Sequence, residues 1–75
     1  MTTLTTTLTT TLPHGSRVRI ELQDGTPVAD MDRAVRLLVV FESIDRDKGR
    51  AFTERFPAVC YSARGVPIGN AYLIR

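Results

Sequence analysis

The sequence predicts an α+β domain in which helix packs on one face of an antiparallel sheet, and three observations carry that expectation. Arg17 to Leu22 alternates polar and apolar residues, Asp30 to Ile44 spaces apolar residues as a helix does, and the stretch after Pro57 is rich in β formers broken by glycine and proline. The expected order is β-β-α-(α)-β-β. One long helix spans about 31–44 and a second, shorter one about 46–55.

The first element is three tandem copies of a four-residue unit, Met1-Thr-Thr-Leu-Thr-Thr-Thr-Leu-Thr-Thr-Thr-Leu12, with no charged side chain before Arg17. A period of four fits a helical stripe and also a strand whose even positions share a face. Threonine decides for the strand, because its branched side chain is restricted in a helix and packs well on a pleated surface. Read alone, the repeat is equally a flexible tail. Read with the turn formers Pro13-His14-Gly15-Ser16 and the alternating strand beyond them, it becomes the first arm of a hairpin.

In the second arm Val18, Ile20 and Leu22 share the buried face while Arg17, Arg19 and Glu21 share the wet one. Leu4, Leu8 and Leu12 are the matching apolar positions of the first arm. Asp24-Gly25 ends the strand, and a short return strand at Val28 and Ala29 is one continuation.

From Asp30 to Ile44 a helix gathers Met31, Ala34, Val35, Leu37, Leu38, Phe41 and Ile44 on about half the wheel, with Asp30 or Asp32 as its cap. A strand through Val35, Leu37, Val39 and Phe41 alternates nearly as well. Length and the capping residue favour the helix. Asp45 to Phe56 is a second helix carrying Phe52 and Phe56, with Gly49 as its weak point, or else a turn followed by a strand. Ala58–Ala63 and Ala71–Ile74 then form a last hairpin, which Pro67 places near a sheet edge.

The 75 residues make one domain, 1–75, with 43% hydrophobic and 24% charged residues, the balance of an ordinary globular chain. The single cysteine, Cys60, has no internal partner, which favours a reducing compartment, and the expected location is cytoplasmic. The N-terminus lacks the pattern of a secretory signal, and no apolar run approaches the ~20 residues of a membrane span, so no membrane partner is expected.

No motif dictates a chemistry. His14 in a turn and Cys60 on a strand do not make a nucleophile and base, and one His with one Cys cannot build a structural zinc site. Asp45-Arg-Asp-Lys-Gly-Arg50 fails as a calcium loop because Gly49 and Arg50 stand where an oxygen ligand and the required glycine belong. The expectation is a non-enzymatic protein without metal or cofactor.

Net charge is +2, and the basic excess lies in the C-terminal part, from Arg46 onward. Nine of the ten basic residues are arginine, which suits carboxylate, phosphate and interface contacts, although GC-rich coding produces the same bias. The candidate contact residues are Arg17, Arg19, Arg46, Lys48, Arg50, Arg64 and Tyr72. The first expectation is a protein partner, met by a small regulator or inhibitor of the size class that includes phage- and plasmid-encoded anti-defence proteins. A homodimer through an exposed sheet edge belongs to the same expectation. The alternative is nucleic-acid binding through the Arg17–Arg19 strand face and a stripe of Arg46, Lys48, Arg50, Arg55 and Arg64, with Tyr61 or Tyr72 stacking, diluted by Asp45, Asp47 and Glu54 among them.

Overall fold

The alternation over Arg17 to Leu22 becomes strand β2 (Arg17–Gln23), whose Val18, Ile20 and Leu22 side chains are fully buried. These three residues are the centre of the molecule, a computed structural model that describes residues 5–74. The Thr/Leu repeat forms strand β1 (Thr5–Thr11), antiparallel to β2 with Leu8 opposite Ile20. Leu12 leaves the strand and is buried in the core, while Leu4 lies outside the described residues. Strands β3 (Ala58–Tyr61) and β4 (Pro67–Leu73) complete a four-stranded antiparallel sheet in the order β1-β2-β4-β3.

The long helix α1 (Val28–Asp47) covers one face of this sheet. It extends about one turn beyond the expected 31–44 at each end. The return strand considered for Val28 and Ala29 is instead its first turn, because β2 is already paired on both sides, by β1 and β4. Neither Asp30 nor Asp32 caps the helix. Pro27 occupies the N-cap position with φ −58°, and its carbonyl accepts from the amides of Asp30 (3.0 Å) and Met31 (3.3 Å). Proline's fixed φ orients that carbonyl without any side-chain cap.

The second helix expected over 46–55 does not form. Residues 46 and 47 finish α1, and Gly49, at φ 68°, then takes the left-handed conformation that a residue with a Cβ adopts only at a cost. The amide of Gly49 donates to the carbonyl of Arg46 (3.3 Å) and that of Arg50 to the carbonyl of Asp45 (2.8 Å). This pair of bonds is the Schellman termination of a helix, so Gly49 is a stop signal rather than a weak point inside a second helix. Only Phe52–Arg55 winds again, as one 3-10 turn. Phe52 and Phe56 do meet, edge to face, with ring centroids 5.0 Å apart.

The last hairpin does lie at a sheet edge, but its second strand begins at Pro67 rather than at Ala71. That strand, β4, is interior, and only β3 of that hairpin is an edge. The proline is tolerated because it is the first residue of β4 and lies beyond the last pair with β2, Leu22 opposite Gly69, where the β3–β4 register is irregular.

Pairing sorts the side chains into rows. Facing the helix are Leu8–Ile20–Ala71–Ala58 and Thr10–Val18–Leu73. The opposite face is uncovered and carries Thr7–Glu21–Asn70–Val59 and Thr9–Arg19–Tyr72. At Gly69 the backbone of β2 comes so close that an added Cβ would collide with the Glu21 carbonyl oxygen and with Leu22 Cα. A glycine is therefore required for β4 to pair with β2 at this position.

Candidate interaction surfaces

Two carboxylates of α1 hold the elements around the helix. Glu42, buried beneath the β1–β2 turn, accepts from the backbone amides of His14 (2.9 Å) and Ser16 (3.1 Å), one to each carboxylate oxygen. Burial pulls its pKa upward, but the Ser16 side chain together with these two amides outweighs that effect and holds it below the ordinary glutamate value. Asp45, one turn further on and fully buried, receives Arg55 in a two-pronged pair, Nε to Oδ2 at 2.5 Å and Nη2 to Oδ1 at 2.9 Å. The Arg55 hydrogen bonds lower the Asp45 pKa, and Arg55 is raised in return. The guanidinium lies over the Phe41 ring, 4.2 Å from its centroid, and so ties the 3-10 turn to the helix by charge and by stacking.

The Glu42 contact also places the C-terminal half of α1 beside the β1–β2 turn. Arg46, Lys48 and Arg50 therefore gather at that end, all exposed. Arg64 lies in the turn between β3 and β4, at the opposite end, where β4 enters the sheet beside Leu22 and Gly69. Arg17, Arg19 and Tyr72 occupy the uncovered sheet face. Of the candidate contact residues, the fold brings Arg19 directly onto Tyr72, with Cζ 5.2 Å from the ring centroid. Arg19 Nε is also 2.9 Å from Glu21 Oε2. The candidate basic residues thus form three separate groups on different sides of the molecule, and Arg55 is engaged by Asp45.

A surface absent from the expected contact residues lies on α1. Leu37, Val40 and Ile44 are 47%, 50% and 36% exposed, high values for side chains placed on the apolar half of a helix. At about 100° per residue they sit roughly a third of a turn from the line of Ala34, Leu38 and Asp45 that meets the sheet. The spacing predicted Leu37 and Ile44 as core because the apolar arc was taken as wholly covered. The signal that finds them is its width: half a wheel of apolar residues is more than one flat sheet face covers, and Val40 extends it further.

Beside this stripe runs a groove of about 220 Å³ between α1 and edge strand β3, walled by Ala34, Leu38, Phe41, Ala58 and Cys60. Burial raises the Cys60 thiol pKa, so it behaves there as a small apolar side chain. Val59 and Tyr61, 48% and 50% exposed, lie on the same edge strand, with Val59 in a row of the uncovered sheet face.

Among the described residues no cluster of His, Cys, Asp and Glu is gathered that could hold a metal ion, and no helix is long and apolar enough to cross a membrane. What these elements define is a small antiparallel α+β domain with one helix on the sheet and an uncovered apolar stripe on that helix. Comparison with known protein families, with curated proteins and with solved structures finds no match.

Proposed function

We propose that this chain is a non-enzymatic protein-binding module of the regulator or inhibitor type, and that its partner docks on the Leu37–Val40–Ile44 stripe and the adjoining β3 groove. The carrying observation is the exposure of three large apolar residues in one line on a helix already buried along the neighbouring line of Ala34, Leu38 and Asp45. A contiguous apolar patch on a soluble domain marks an interaction surface more often than a scatter of single residues does. Covering the half-exposed side chains Leu37, Val40 and Ile44 contributes roughly 1 kcal/mol each at ordinary transfer values.

The nucleic-acid reading gains less support. A phosphate-tracking surface needs its cations along one groove, whereas Arg64, the Arg46–Lys48–Arg50 group and the Arg17–Arg19 pair lie apart. The test is photo-cross-linking in the native cell, with the reactive group placed at position 40 in one version and at position 19 on the uncovered sheet face in another. Position 40 is expected to capture a protein and position 19 none. Capture only from position 19, or of nucleic acid from either, overturns the proposal.

A further inference from the structure

Resting on the reading of that stripe as a docking surface, we propose that it also accepts a second copy of this chain, with the two α1 helices packed antiparallel about a two-fold axis near Leu37 and Val40. Leu37, Val40 and Ile44 follow one another at the 3-4 spacing by which two helices interlock side chains. Charges at the two ends of the stripe choose the direction. Arg33 lies one turn before it and Asp47 one turn after it, both exposed.

In an antiparallel pair with Leu37 against Val40 of the second copy, Ile44 meets Arg33 of that copy. Each Arg33 guanidinium then lies within about one helical turn of the opposing Asp47. A parallel pair sets Arg33 against Arg33 and Asp47 against Asp47. Antiparallel packing also opposes the two helix dipoles, and its two-fold symmetry closes the assembly at a dimer. Among the described residues, the ion pair that Arg33 makes within the chain is a 3.9 Å contact with Asp30, long enough to yield to an intermolecular one. The sheet edges offer no comparable complementarity: β1 presents threonines, and β3 is four residues long.

The test is sedimentation velocity on the full chain from about 5 to about 500 µM, a range that spans weak dimers. The wild type is expected to shift with concentration from 8.3 kDa toward twice that mass. Val40→Glu, at a half-exposed position, is expected to weaken association at least about tenfold with an unchanged circular dichroism spectrum. Arg33→Asp and Asp47→Arg each weaken it about fivefold, and the double variant restores it.

A wild type that stays monomeric throughout overturns the pairing. A dimer that persists in Val40→Glu does so too, by moving the contact to a sheet edge, and so does a double swap no better than its parents. Monomeric behaviour with a different protein captured from position 40 sinks the self-pairing alone. Monomeric behaviour with no capture sinks the docking surface as well.

Discussion

Glu42 is the clearest case of one side chain doing what a segment of chain could not. Two backbone amides in the β1–β2 turn point toward the helix, and a carboxylate is the only group on α1 that meets both. Glu42→Gln keeps the shape but loses one acceptor and the charge, and is expected to lower unfolding free energy by about 2 kcal/mol in urea denaturation. The pH dependence follows from the same contacts. The folded-state pKa values of Glu42 and Asp45 are both lowered, so their stabilisation is complete above the ordinary values of 4.5 and 3.8 and fades as pH falls through the lowered ones. Thermal midpoints should be level from neutrality down to about pH 5 and then drop, and Glu42→Gln should flatten part of that drop. At Gly69 the constraint is spatial. Gly69→Ala places a methyl against the backbone of β2 and is expected to cost about 2 kcal/mol or more, with loss of amide protection along the β2–β4 pairing.

The elements differ in what ends them and what ties them down. Helix α1 is closed by Gly49, and Gly49→Ala is expected to destabilise by about 1 kcal/mol, because the left-handed conformation is costly for any residue with a Cβ. The 3-10 turn is too short to stand by itself, and the Asp45–Arg55 pair fastens it to the helix. Removing one partner leaves the other charge without compensation. Arg55→Met should therefore destabilise the protein and return the Asp45 pKa toward its ordinary value, readable by carboxylate NMR titration. Strand β1 is an edge, hydrogen-bonded to β2 alone. Hydrogen exchange should show alternate amides protected along residues 6–11, and uniform fast exchange there would remove the strand from the folded unit.

For the whole molecule the decisive fact is that the exposed cations are scattered, whereas the exposed apolar residues of α1 form one stripe with Arg33 and Asp47 at its ends. The sheet leaves one face open, with Arg19 lying on Tyr72 and paired to Glu21, so its cation is already neutralised in place. Arg64 lies at one end, Arg46, Lys48 and Arg50 at the other, and Arg33 and Arg36 along α1. Fluorescence anisotropy at low salt should accordingly show no saturable binding to duplex DNA, single strands or RNA below about 100 µM, weaker than ordinary non-specific binding. The apolar stripe on α1 is the feature to which energetic weight attaches, and substitutions at Leu37 or Val40 should abolish capture of a partner while leaving the thermal midpoint within a few degrees.

Local chemistry by itself determined much of this. The alternation at Val18, Ile20 and Leu22, the turn formers at Pro13 to Ser16 and the Asp24-Gly25 stop each depend on residues close in sequence, and each stands in the structure where the pattern puts it. The helix was legible for the same reason, but the pattern misplaces its end at Ile44, because Gly49 reads as a weak point inside a second helix and not as the glycine that stops the first. Only the tertiary structure decided which strand lies inside the sheet, because insertion of β4 between β2 and β3 depends on pairings between residues some fifty positions apart. That insertion is what gives Gly69 its necessity and Pro67 its permitted place. It likewise decided the candidate surface. Whether Leu37, Val40 and Ile44 are core or exterior depends on how much of the helix one sheet face covers, and the carboxylates of Glu42 and Asp45 find their partners only when distant turns fold against α1. Periodicity reports that a residue is apolar and which side of a helix it lies on; the geometry of the neighbouring element determines whether that side meets protein or water.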